Sequence, residues 1–217
     1  MTGPLTWLML EQWQRVLVVS PHPDDETIGA GGLLARLARQ ESFTSVLTMT
    51  CAEDRHVELK TACERLDVTA VRYGLQPDGL LDTVPQRQLI AHIETSVDEF
   101  DPQVIIGPWW GSYHQDHRAV GHALISALRP MSPNRSVLFY EQTADGWCTQ
   151  PFRPDLWVRL TEADVDAKLD AYQEHCSQVR PSPSNRSVEA IRALATTRGA
   201  QIGASYAEAF MCGRIVL

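Results

Sequence analysis

Five short apolar runs rich in β-branched residues, Val16 to Ser20, Val46 to Thr50, Val68 to Tyr73, Val104 to Gly107 and Val137 to Glu141, alternate along this chain with segments of helical periodicity. That alternation restricts the fold more than any other feature. Runs so short and so apolar read as buried strands, and strands separated by helices imply βαβ units and a mostly parallel sheet. Apolar residues recur at three- and four-residue intervals over Ile28 to Arg39, Arg55 to Leu66, Gln86 to Phe100 and Asp116 to Leu128, which are the expected helices. Beyond Pro151 the pattern changes to a short strand at Leu156 to Leu160, a helix from Thr161 to about Cys176, the Pro/Ser-rich loop Arg180 to Ser187, and a further helix. The expected architecture is a Rossmann-like, doubly wound α/β fold. A mostly parallel sheet of about five or more strands is flanked by helices and carries a short C-terminal strand and helix extension.

In the common 3-2-1-4-5 order of such sheets, the first and fourth strands are neighbours, and ligands bind in the crevice at their carboxyl ends. Both places carry the same kind of chemistry here. Ser20-Pro-His-Pro-Asp-Asp-Glu26 follows the first strand and His114-Gln-Asp-His117 follows the fourth, each opening a helix. Carboxylates crowded at one turn repel one another and are costly to bury unless a cation holds them. His22 and Asp25 are spaced so that both can face one spot, and a histidine of the second segment would complete a set of two histidines and one carboxylate. Three protein ligands leave a fourth position for water, the catalytic pattern for zinc (Zn2+), and ferrous iron (Fe2+) uses the same ligand types. Asp24 points away from Asp25 and is free to take a proton from that water. Of His114 and His117, one suffices as ligand, and the other could stabilise an oxyanion or protonate a leaving amine. Asp116 is placed to orient one of these two rings.

Competing readings are weaker. Gly29, Gly31 and Gly32 suggest a nucleotide-binding turn, but they follow the acids and do not form GxGxxG, so a pyrophosphate would meet three carboxylates. His56, His92 and His122 fall on helical patterns as surface or packing residues, while His175 sits where a helix could present it to the site. Trp109 and Trp110 follow the fourth strand and could offer flat faces to a substrate or fill the core.

With 217 residues, 44% of them hydrophobic, the chain has material for one large core, and a single domain over residues 1–217 is expected. A net charge of -8 and the absence of a basic run argue against nucleic acid and anionic membranes, leaving a small molecule as the expected partner; a homo-oligomer is compatible with the sequence. Five scattered cysteines without a CxxC pair suggest neither a disulfide framework nor a thiolate zinc site and read as buried thiols. Leu5 to Leu10 is too short for a signal-peptide core, and no later run is long enough to span a bilayer, so a cytoplasmic location is expected.

These motifs resemble those of the LmbE-like or PIG-L family of metal-dependent N-deacetylases, whose marks are a (P/A)HPDDE turn and a later HxDH. Further parts of the chain are similar to family elements: Thr50-Cys-Ala-Glu53, Arg55-His-Val-Glu58, Pro77-Asp-Gly79, His175-Cys-Ser-Gln178 and Tyr206-Ala-Glu-Ala-Phe210. The resemblance implies zinc on His22, Asp25 and His117, Asp24 as general base, and His114 as the acid or electrophile steadied by Asp116. It also implies Glu53, Arg55 and Asp78 on the substrate side, and removal of an acetyl group from an N-acetylglucosamine-type compound. Ala52 stands where the family has glycine, and the loop that usually follows is almost absent, which implies a more open pocket. The alternatives are an amidase for a non-sugar N-acylated metabolite and a metal- or ligand-binding protein without turnover.

Overall fold

The computed structural model describes residues 10–130, 135–148 and 151–216; residues 5–9 of the apolar N-terminal run lie outside them. Along the chain come β1 (Arg15–Ser20), α1 (Asp25–Arg39), β2 (Phe43–Thr50), α2 (Glu53–Arg65), β3 (Ala70–Gln76), α3 (Gln86–Phe100), β4 (Val104–Pro108), α4 (Gln115–Ala127) and β5 (Ser136–Tyr140). After a 3-10 turn at Asp145–Trp147 follow β6 (Leu156–Leu160), α5 (Glu162–Glu174), α6 (Val188–Ala200) and β7 (Tyr206–Arg214). The strands form one seven-stranded sheet in the order β3-β2-β1-β4-β5-β7-β6.

The first five strands are parallel and reproduce the expected 3-2-1-4-5 order, with Val16 of β1 beside Val104 of β4. β7 then runs antiparallel against β5, and β6 antiparallel against β7. The inserted β7 was not expected as a strand. Its sequence Tyr-Ala-Glu-Ala-Phe-Met-Cys-Gly-Arg has no β-branched residue and only Tyr206 and Phe210 favour a strand, and pairing on both sides supplies what propensity does not. Several boundaries also move. α1 begins at Asp25 rather than Ile28, so two acids lie in its first turn, where the helix dipole favours negative charge. β3 runs later than expected, from Ala70 to Gln76.

Alternate residues of β1 go to opposite sides of the sheet. Val16 and Val18 join the core under α1 and α5, with Leu33, Leu37, Leu169 and Tyr172, whereas Leu17 and Val19 join that under α3 and α4, with Leu89, Ile93, Val120 and Leu124. A β1 buried on both faces fixes the turn that follows it. α1 lies close to the sheet: a Cβ added at Gly29 would fall 2.3 Å from the Tyr140 ring, so this glycine serves helix packing and not phosphate binding. Glu208 of β7 accepts from the backbone amides of Gly32 and Leu33 at 2.8 Å each, and Lys168 of α5 bonds both Glu208 and the carbonyl of Ile28. The C-terminal third therefore grips α1 from the side.

The five cysteines are free, but only Cys63 is buried. Cys176 is exposed and the others are intermediate, which corrects the expectation of buried thiols. Among the described residues no helix is long and apolar enough to cross a membrane.

Candidate metal centre and active site

At the carboxyl end of β1 the chain leaves the sheet through Pro21-His22-Pro23 and enters α1. Asp24 takes φ 117°, a backbone conformation that L-residues rarely adopt and that typically costs about 1–3 kcal/mol. Its amide donates to Glu26 Oε2 at 3.1 Å and its carbonyl accepts from Ile28 N at 2.9 Å, and these bonds hold the kink. The kink turns Asp24 and Asp25 to different partners. The second segment leaves β4 through Trp109 to Tyr113 and enters α4, with His114 as the N-cap.

The two segments meet. His22 Nδ1 lies 3.0 Å and His117 Nε2 3.1 Å from the same atom, Asp25 Oδ2, and all three residues are buried. Ligands of a tetrahedral zinc at about 2.0–2.1 Å stand roughly 3.3 Å from one another, so this set fits a single small cation. His22 is tied at both ring nitrogens, the second (Nε2) lying 2.9 Å from Asp116 Oδ2 and 3.4 Å from Asp78 Oδ1. Burial opposes a positive charge on His22, but the bonds to Asp116 and Asp25 outweigh it and raise its pKa to about 10. A ring held this way carries a proton on each nitrogen, or else presents one lone pair to a cation while the other nitrogen donates to Asp116. The second state is the usual arrangement of a metal-ligating histidine.

Asp116 thus orients His22, not His114 or His117 as the sequence reading expected. Its Oδ1 accepts from the amide of Leu81 at 3.0 Å, which fixes the carboxylate from behind. What it gives His114 is its backbone: the Asp116 amide donates to His114 Nδ1 at 3.2 Å. The His114 ring stands beside the cluster, 5.0 Å from the His22 ring and 5.1 Å from that of His117.

Asp24 is fully buried between two guanidinium groups, with Oδ1 3.4 Å from Arg55 Nη2 and Oδ2 3.3 Å from Arg186 Nη1. Burial, and then the Asp25 charge, push its pKa up to about 6 against the pull of Arg186, Arg55 and His175. Arg55 also bonds the carbonyl of Pro23 and lies 3.6 Å from the half-exposed Asp78. Glu53 is exposed at the start of α2.

The two tryptophans differ. Trp109 is 2% exposed and packs edge-on against Phe152 at 5.7 Å, so it belongs to the core and not to a substrate surface. Trp110 is partly exposed and meets Phe139 edge-on at 4.5 Å. Trp109→Ala is expected to cost about 3–5 kcal/mol of stability, measured by urea unfolding, through the cavity it leaves. A loss below about 1 kcal/mol would contradict the core assignment.

Three polar groups at the site, Gln142, Asp145 and Arg186, escaped the sequence reading. Gln142, just past β5, donates to Asp25 Oδ1 at 3.0 Å and so orients that carboxylate. Asp145 accepts from Gln142 N and Ser112 Oγ, each at 2.7 Å, and joins the loops after β4 and β5. Glu26 and His175 form a fully buried pair at 3.2 Å beneath Asp24. Arg186 comes from the Pro/Ser-rich loop.

Fold and site together define a doubly wound α/β protein with a candidate divalent-metal centre at its switch point. The chain belongs to the PIG-L family, whose model, described as GlcNAc-PI de-N-acetylase, matches residues 17–128. Among curated proteins it is 26% identical to "Probable N-acetyl-alpha-D-glucosaminyl L-malate deacetylase 2" of Bacillus anthracis, over 76% of this chain and 81% of that one. Among solved structures it is similar to a conserved protein of Thermus thermophilus, with TM-score 0.78 and 28% identity over 94% of this chain and 96% of that one. The fold is also that of the N,N'-diacetylchitobiose deacetylase of Pyrococcus horikoshii, with TM-score 0.75 and 21% identity over 96% and 90% of the two chains.

Proposed function

We propose that this chain is a divalent-metal-dependent hydrolase that removes the acetyl group, or another N-acyl group, from an N-acetylglucosamine-type small molecule, with Asp24 as general base. The observation that carries this reading is the convergence of His22, Asp25 and His117 on one spot beside Asp24, a buried acid outside the ligand set. A site needing only to hold a cation has little use for that extra carboxylate. The PIG-L membership and the name of the Bacillus anthracis relative favour the N-acetylglucosamine class. We take residues 1–217 as one catalytic unit, because β7 of the C-terminal third lies inside the sheet that bears the site.

His22, Asp25 and His117 would hold zinc or ferrous iron. The ion would supply Lewis acidity, making water nucleophilic near neutral pH and polarising the acyl carbonyl. Asp24 Oδ1 is buried and has no hydrogen-bond partner among the described residues, which leaves a lone pair free for the proton of the attacking water. That proton then goes to the nitrogen as the C–N bond breaks, giving an amine and a carboxylic acid, which loses its remaining proton to solvent at neutral pH. His114 takes the electrophilic role. Burial first, and the neighbouring His117 and His22 next, lower its pKa, and with Nδ1 accepting from the Asp116 amide the neutral ring has its proton on Nε2. That N–H is available to the acyl oxygen as negative charge develops there. Arg55, Asp78, Glu53 and Trp110 are assigned to the substrate side.

The test is acetate release from free N-acetylglucosamine, its glycosides and N,N'-diacetylchitobiose, before and after chelation and with zinc or ferrous iron restored. Turnover should vanish with the metal and return with it. His114→Ala should keep its metal and lose about 100- to 1000-fold in kcat, with a smaller change in KM. Acetate released from none of these compounds would refute the substrate class. Metal lost on His114→Ala would instead exchange the roles of His114 and His117.

A further inference from the structure

We propose that Arg186 is a positioning residue of the hydrolytic centre, which the Pro/Ser-rich loop between α5 and α6 brings in to hold the Asp24 carboxylate by Oδ2. This inference rests on the function proposed above, in which Asp24 is the base. Arg186 lies far from both metal-site segments in the chain, and its loop shows no sequence pattern that points to chemistry.

The loop is fastened at this residue from several directions. The Arg186 carbonyl accepts from the Tyr172 hydroxyl at 2.9 Å and from the Arg180 amide at 3.1 Å, and its own amide donates to Ser184 Oγ at 3.2 Å. On one side Asn185 offers its carbonyl to Thr143 Oγ1 at 2.7 Å. On the other, buried Ser187 caps α6 by accepting from Ala190 N at 3.1 Å. With its backbone fixed in this way, one nitrogen of the side chain, Nη1, donates to both Gln178 Oε1 at 2.6 Å and Asp24 Oδ2 at 3.3 Å.

The division of labour at Asp24 follows. Oδ2 takes its hydrogen bond from Arg186, while Oδ1, also buried, has an ion-pair neighbour in Arg55 but no hydrogen bond among the described residues. Arg55 is also committed to the Pro23 carbonyl and to Asp78. Arg186 is therefore the group that fixes the carboxylate rotamer and leaves the other oxygen for the proton. A guanidinium can do both, because Nη1 carries two hydrogens, one for Gln178 Oε1, which orients the planar group, and one for the carboxylate, whose bond the charge strengthens.

The experiment compares wild type, Arg186→Ala, Asp24→Asn and the double variant, all metal-loaded, on the compound above that wild type cleaves fastest. Arg186→Ala should keep its metal and lower kcat by roughly 10- to 100-fold, the scale of a misplaced catalytic group, with KM nearly unchanged. Added guanidinium ion should restore part of the loss, and Arg186→Lys should retain more activity than Arg186→Ala. In the Asp24→Asn background the second substitution should cost little more, since Arg186 acts through Asp24. Wild-type kcat in Arg186→Ala, a loss confined to KM, or an undiminished further loss in the double variant would overturn the proposal. If Arg186→Ala does not fold, Arg186→Gln replaces it under the same criteria. A fully active Asp24→Asn, or a wild type that cleaves nothing, refutes the functional reading and this proposal with it. An active wild type, an inactive Asp24→Asn and an unimpaired Arg186→Ala refute this proposal alone.

Discussion

His117→Ala is expected to bind little metal and to show no measurable turnover while remaining folded. Its imidazole is one of the three members of the His22, Asp25 and His117 set, and the two left behind make a weak site. The substitution also removes the contact at 3.1 Å that helps keep the Asp25 carboxylate charged against burial. His22→Ala should behave alike. Asp116→Ala should fall between these and wild type, weakening metal affinity by about 10- to 100-fold, because Asp116 acts through the His22 ring that it orients. Metal content by elemental analysis, with circular dichroism as a check on folding, measures all three, against about one ion per chain in wild type. Wild-type metal content in a folded His117→Ala would show that the ligands lie elsewhere.

Much of this centre could be read along the chain, for a physical reason. Buried strands and helices alternate strongly enough to specify a doubly wound parallel sheet, and the common 3-2-1-4-5 order of such sheets carries His22 and His117, distant in sequence, to one crevice. What could not be read depends on side-chain direction. Asp116 looked like a partner for its own helix's histidines, but a residue deep in the first turn of α4 points back across the crevice to His22. The indole of Trp109 turns into the core, a choice that a Trp-Trp pair does not reveal. Gln142 was in reach of inference, since it follows a strand at the same edge of the sheet. Arg186 was not, because a loop rich in proline and serine has no periodicity from which to deduce what its two arginines reach. Strand β7 went unseen because alanine, methionine and glycine give no strand signal, and only the partners on either side make it one.

Asp24→Asn is expected to keep its metal and lose about 100- to 10,000-fold in kcat, the range that a positioned general base commands. The amide preserves the shape of the side chain but has no basic oxygen for the proton. The pH dependence distinguishes this from damage to the fold. Burial, and then the Asp25 charge, push the Asp24 carboxyl up to about 6 in the metal-free protein, and a bound cation adds positive charge that draws it lower. Wild-type activity should therefore fall as the pH drops through that value or somewhat below it, and the residual activity of Asp24→Asn should lack this acid limb. Stability should move the opposite way. A carboxyl whose folded pKa is raised from 3.8 to about 6 is disfavoured as an anion by the fold, so its destabilising effect is absent below the lower value and fully present above the higher. Metal-free Asp24→Asn at pH 8 should consequently be more stable than metal-free wild type, by up to about 3 kcal/mol on the linkage of pKa to free energy. Thermal or urea unfolding at pH 8 and again near pH 3, below both values, where the difference should disappear, measures it. A variant that is less stable at both pH values, or that turns over at the wild-type rate, would rule out Asp24 as a strained, buried base kept for catalysis.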